Sequence, residues 1–169
     1  MQIIKENGNF PNNETLPLVL YRGAAEKSDT ENCAREFEDI FTRNQWPAAW
    51  RDGVHPYHHY HSVAHETLGV YSGRAKVQFG GDGGPVFDVG PGDVVVIPAG
   101  VAHKLISSEG RLGIVGAYPE GQSPDMRYGK SGERPEADRN IAATPLPGGD
   151  PLLGKNGPIA EQWRGYSRQ

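Results

Sequence analysis

The 169-residue chain has a single cysteine, Cys33, so no internal disulfide framework can staple it. It has no long apolar run. Val94–Ile97 is only four residues long, where a bilayer-spanning helix needs about 20. It has no excess of positive charge: 17 Lys and Arg stand against 21 Asp and Glu, a formal net charge of -4. A nucleic-acid partner is therefore not expected, because phosphates are met with clustered lysine and arginine. Neither a run of five like charges nor an apolar segment within the first ten residues is present. No membrane patch and no secretory signal are expected, and the expected location is the cytoplasm. A Gly-x-Ser-x-Gly elbow is missing as well, and Cys33 stands far from the histidines. Nucleophilic catalysis thus has no visible candidate, and Cys33 is read as buried filler.

Glycine and proline, by contrast, are abundant. There are 23 Gly and 14 Pro, 37 of 169 residues or about 22%, against roughly 12% in average proteins. These are the two worst residues for a helix interior, so the chain is a poor candidate for a helical bundle and a fair one for a small all-β domain with many corners.

The chain reads in three parts of one domain. In residues 1–50, Pro17–Tyr21 reads as an edge strand, its proline at the start where no ladder donor is lost. Ser28, Asp29 or Thr30 then caps a helix carrying Cys33, Phe37, Ile40 and Phe41 at helical spacing. This helix is expected to pack on the outside of the β portion. That portion spans residues 51–118. Strands are predicted at Thr67–Tyr71, Arg74–Phe79, Pro85–Val89, Val94–Ile97, His103–Ser107 and Arg111–Tyr118. Ser72–Gly73 and Gly90–Asp93 read as turns and Gly80–Gly84 as a hairpin tip. A phosphate-loop reading of Gly80–Gly84 fails for want of a following helix and a Lys-Ser/Thr pair. Lys104 and Arg111 are read as strand-surface charges. Residues 119–169 shift in composition and read as an extended Pro/Gly-rich arm. Met126, Tyr128, Ile141, Leu146, Leu152, Leu153, Ile159 and Trp163 are its apolar anchors.

Five of the six histidines fall between His55 and His65, and the sixth is His103. In a strand, residues i and i+2 share a face, so His59 and His61 project two imidazoles to one side. Glu66 has the wrong parity for that face unless a turn or bulge within residues 62–65 restores it. His103 joins the group only if the sheet curls round, with Pro98-Ala99-Gly100 as its corner. Three imidazoles and a carboxylate suit one divalent Fe, Mn, Ni, Co, Cu or Zn ion. The lack of thiolates argues against a structural zinc site. His58 is expected to face away from His59, and His55 to be solvated on a loop. His65 and Tyr57 are the catalytic candidates. His65 sits in the inferred turn as an acid or base, or as an alternative fourth ligand to Glu66. Tyr57 shares the parity of His59, whether it lines the cavity or packs in the core.

These two motifs resemble the paired signatures of the cupin superfamily, G-x5-H-x-H-x3,4-E-x6-G and G-x5-P-x-G-x2-H-x3-N. Gly53, His59, His61, Glu66 and Gly73 match the first. Gly92, Pro98, Gly100 and His103 match the second, with Ser107 where the family has Asn. The Asn is not a ligand in the family, so Ser107 puts a supporting hydrogen bond in question, not the metal. The resemblance spans residues 53–118 and looks closest to small single-domain bacterial cupins. It implies an all-β fold, a single jelly-roll β-barrel with one metal in its mouth held by His59, His61, Glu66 and His103. It further implies a small-molecule ligand in the barrel, handled by dioxygenase-like oxidation or by isomerisation, or else bound without turnover. A homodimer formed through the Pro17–Tyr21 strand and the arm is the expected assembly.

Overall fold

The computed structural model describes residues 1–25 and 29–166. Seven strands dominate: β1 (Gln2–Ile4), β2 (Asn13–Tyr21), β3 (Ala48–Asp52), β4 (Glu66–Phe79), β5 (Val86–Val89), β6 (Val94–Ile97) and β7 (His103–Ala117). All pairings are antiparallel. Their order is β1-β2-β6-β4-β7-β3, with β5 also on β4. The architecture is an all-β jelly-roll barrel. Among the described residues, no helix is long and apolar enough to cross a membrane.

The alternation of side chains along each strand builds two cores. Val95 and Ile97 of β6 point into the barrel, where they meet Leu68, Val70, Val77, Phe79 and Ile114. Val94 and Val96 point outward and are covered by helix α1 (Thr30–Arg43) through Phe37 and Phe41. A strand buried on both faces reads as an unbroken apolar run, which is why Val94–Ile97 does. Asp29 caps α1, its Oδ1 accepting the Asn32 N–H at 3.0 Å. Ser28, another candidate cap, lies outside the described residues. Cys33 is buried in the outer core, as filler should be.

Several strand boundaries differ from the sequence expectation. Ser72–Gly73 is not a reversal. β4 runs straight through it, and the register with β7 slips there around Gly73, at φ +69°. A left-handed glycine inside a ladder makes a bulge that bends the strand and lets it continue. The two strands expected at 103–107 and 111–118 are likewise one strand, β7. Pro17–Tyr21 is not an edge: β1 pairs with Leu18 on one side, and β6 pairs with Val19–Tyr21 on the other. β3 was not foreseen, because Ala-Ala-Trp-Arg-Asp has little β-propensity and no polar alternation. It forms because the rim of β7 offers it a ladder from Ile114 to Ala117.

The C-terminal arm is only partly extended. It contains helix α2 (Glu136–Ala143) and a π-helical turn, Ile159–Trp163, that runs into a last turn α3 (Arg164–Tyr166). Ile159 and Trp163 are buried in the outer core. Met126, Tyr128 and Leu153, also read as anchors, are exposed.

Candidate metal centre

The His59–His61 segment is held from both sides. His59 bridges to His103 through reciprocal backbone hydrogen bonds of 3.2 and 3.0 Å, and Tyr60 does the same with Arg127 of the arm. The Gly100 N–H donates to the His61 carbonyl at 2.8 Å. At Gly100, φ is +94°, and a Cβ would lie 2.4 Å from the Asn12 carbonyl oxygen, so only glycine fits this corner. The turn that reorients Glu66 is stapled by Asp125. Its carboxylate accepts the Ser62 N–H (2.6 Å), the Ser62 hydroxyl and the Val63 N–H (3.3 Å), and pairs with Arg127 at 2.9 Å.

The chain thereby brings His59, His61 and His103 together. One ring nitrogen of each lies within 4.8 Å of the others, and all three residues are buried. Each Nδ1 faces a backbone carbonyl: Tyr57 for His59 (3.1 Å), Asp125 for His61 and Val101 for His103 (3.1 Å). A carbonyl only accepts, so each Nδ1 carries a proton, and in the neutral ring each Nε2 turns a lone pair inward. Glu66 lies among them, its Oε2 3.4 Å from His61 Nε2 and 3.2 Å from His103 Nε2. That oxygen is buried and takes no hydrogen bond. Inward-facing imidazoles beside an unpartnered buried carboxylate oxygen are donors of the kind a cation takes, and the buried histidine triad could hold a metal ion.

The electrostatics separate the rings. Burial and the neighbouring His103 push the His59 pKa down to about 3, so this ring is neutral at working pH. Burial also opposes charge on His61, but the Glu66 carboxylate outweighs it and raises the His61 pKa. Burial alone would raise the Glu66 pKa, yet His61 and His103 hold it far below the usual carboxylate range.

The donors form the floor of a cavity of about 280 Å³. Its walls are largely apolar, with Trp50, Val54, Leu68 and Met126 prominent. His55, Asp52 and Tyr118 also reach it. Trp50 Nε1 donates to the Tyr118 hydroxyl at 2.9 Å, and burial followed by the Glu66 carboxylate holds the Tyr118 pKa above the ordinary tyrosine value.

Neither catalytic candidate lines this cavity. His65 follows the barrel wall outward. Its Nδ1 accepts the Ala99 N–H at 2.9 Å, its ring lies 4.8 Å from Trp163, and burial lowers its pKa to about 4. It is wedged between wall and arm, apart from the other imidazoles. Tyr57 is neither core nor cavity. It is 44% exposed and stacks on His55 at 4.9 Å, outside the mouth. His58 does point away from His59, toward Asp82 at 3.0 Å. His55 is exposed as expected, but it lines the mouth. Lys104 and Arg111 do not line the cavity, and Ser107 is exposed far along β7.

Sequence reasoning missed Trp50, Tyr118 and Asp125. Trp50 belongs to the unforeseen β3, and Tyr118 follows the last residue of β7. Asp125 carries no signal of its own, because the turn residues it staples, Ser62 and Val63, are 63 and 62 residues away. Asp125→Ala is expected to lower metal affinity about 10- to 100-fold, because the lost staple frees the His61 carbonyl partner. A metal titration of the folded variant checks this, and unchanged affinity would refute it.

Comparison with known proteins places these features. A family model described as a cupin domain matches residues 51–112. The uncharacterized protein YjlB of Bacillus subtilis (strain 168) is 42% identical over 158 residues, covering 94% of this chain and 92% of its own length. Among solved structures, a DUF861 family protein from Thermotoga maritima is similar at 19% identity and a TM-score of 0.34. It covers 59% of this chain and 96% of that one. Acireductone dioxygenase from Bacillus anthracis, solved with a cadmium ion in its active centre, is similar at 19% identity and a TM-score of 0.41. It covers 62% of this chain and 70% of that one. With both motifs in place on an antiparallel barrel and the cupin-domain match lying across it, the chain belongs to the cupin superfamily.

Proposed function

We propose that this cupin is a small-molecule metalloenzyme in which His59, His61, His103 and Glu66 hold one divalent transition-metal ion. The observation that supports this reading is the inward convergence of three tautomer-fixed imidazoles on an unpartnered, buried carboxylate oxygen. A bound ion with four protein ligands would supply a Lewis-acid or redox centre with open positions for a chelating substrate or dioxygen.

The chain itself does the rest. The Tyr57, Asp125 and Val101 carbonyls keep the three rings in the metal-ready tautomer. Tyr118, positioned by Trp50 and kept protonated by burial and by the nearby Glu66 carboxylate, presents a neutral hydroxyl to the cavity. The apolar walls exclude water from the floor.

Dioxygenase-like oxidation is the first reading, since neither His65 nor Tyr57 is placed to shuttle a substrate proton. Isomerisation is the second, favoured by one observation: His55 stands at the mouth as an acid or base. Elemental analysis of protein purified without added metal is expected to find about one equivalent of a transition metal. Dioxygen uptake with substrate then favours oxidation, and turnover unchanged under argon favours isomerisation. A folded protein with no affinity for any transition metal ends the enzyme reading.

A further inference from the structure

The cavity's charge pattern bears on its substrate. Side chains alternate along β3, so Trp50 and Asp52 reach the cavity while Arg51 between them turns to α1. There Glu31 and Glu38 hold its guanidinium, with Arg51 Nε 2.6 Å from Glu38 and Nη1 2.9 Å from Glu31. The same parity sends His103 inward and Lys104 outward. Among the described residues, the cavity is therefore lined by two carboxylates, Glu66 and Asp52, and by no lysine or arginine.

Resting on the metal reading above, we propose that the cavity selects a single-ring molecule with two adjacent metal-binding oxygens and no further anionic group. The charge balance gives the reason. Glu66 reduces a divalent ion to a net charge of about +1, which one deprotonated oxygen of the chelating pair cancels. A second anionic group on the molecule would then find no cation to pair with and would lie in the field of Asp52. A neutral end meets Trp50, Val54 and Met126 instead, and an ammonium end is drawn to Asp52 and the indole. Size sets the single ring: about 280 Å³ is the room of roughly nine waters at about 30 Å³ each.

The test uses full-length protein loaded with cobalt(II) under argon, its cobalt content measured first. 4-Ethylcatechol, dopamine and 3,4-dihydroxyphenylacetate share the ring and the adjacent oxygens but end in methyl, ammonium and carboxylate. By calorimetry the first two are expected to bind at least about tenfold tighter than the third. Asp52→Lys, with fold and cobalt content unchanged, is expected to erase or reverse that preference. Equal or tighter binding of the carboxylate by the wild-type protein overturns the proposal, as does binding of none of the three. A chain that takes up no cobalt fails the metal reading and this one with it. A cobalt-loaded chain that prefers the carboxylate fails this one alone.

Discussion

Saturating the purified protein with a divalent transition metal is expected to raise its thermal midpoint, and the double variant His59→Ala/His61→Ala should lose that rise entirely. At a free metal concentration of 100 times Kd, binding to the folded state alone adds about 2.7 kcal/mol. For a domain of this size that corresponds to roughly 5–11 °C. The effect is large because the donors are already in place, with both rings buried and their tautomers set by backbone carbonyls. The same arrangement sets the pH dependence. In the metal-free protein Glu66 draws a proton onto His61 by raising its pKa, whereas His59 is already neutral. An incoming ion must displace the His61 proton. Apparent metal affinity should therefore climb as pH rises toward the raised His61 pKa, and level off above it. Metal titrations between about pH 5.5 and 8 check the sign. An affinity that falls as pH rises would contradict the assignment, and a double variant that keeps the full thermal rise would remove it.

Trp163→Ala is expected to destabilise the protein by about 3–5 kcal/mol, the usual loss when a fully buried aromatic is truncated. Trp163 is 1% exposed in the outer core, packs on the His65 ring, and donates its Nε1–H to the Pro17 carbonyl at 3.1 Å. Truncation opens a cavity and removes the indole N–H bond to that carbonyl, so the two penalties fall on one residue. Equilibrium urea unfolding measures the loss, and a change below about 1 kcal/mol would show that the arm is not anchored there. Since Trp163 lies outside the metal cavity, metal content in the folded variant should stay near the wild-type value.

The arm shows how much was legible in the sequence. Its apolar residues announced contact with a surface, and Ile159 and Trp163 make it. Its glycines and prolines hid α2, whose eight residues carry only one buried side chain and so little apolar periodicity. They also hid Asp125, because a carboxylate that staples a distant turn looks like any loop aspartate until the chain is folded. The opposite holds for Gly100: the second motif marked it, and the structure supplies the reason in a positive φ and the Asn12 carbonyl behind it.

The sequence by itself determined the class of fold and the strands of the barrel's centre, and its two motifs marked His59, His61 and His103, the buried triad that could hold a metal. Those features are written in short-range spacing: the period of two along a strand, the Gly and Pro corners, and the His-x-His pair. Tertiary structure alone decided which other side chains face that group. Parity states only that Tyr57 shares a face with His59, but chain direction at the mouth carries Tyr57 into solvent. His65 likewise stands one residue from Glu66, yet a barrel wall separates them in role, since successive side chains on a strand point to opposite sides. Trp50, Tyr118 and Asp125 enter the site from segments that meet only when the sheet closes, and no local pattern encodes that closure.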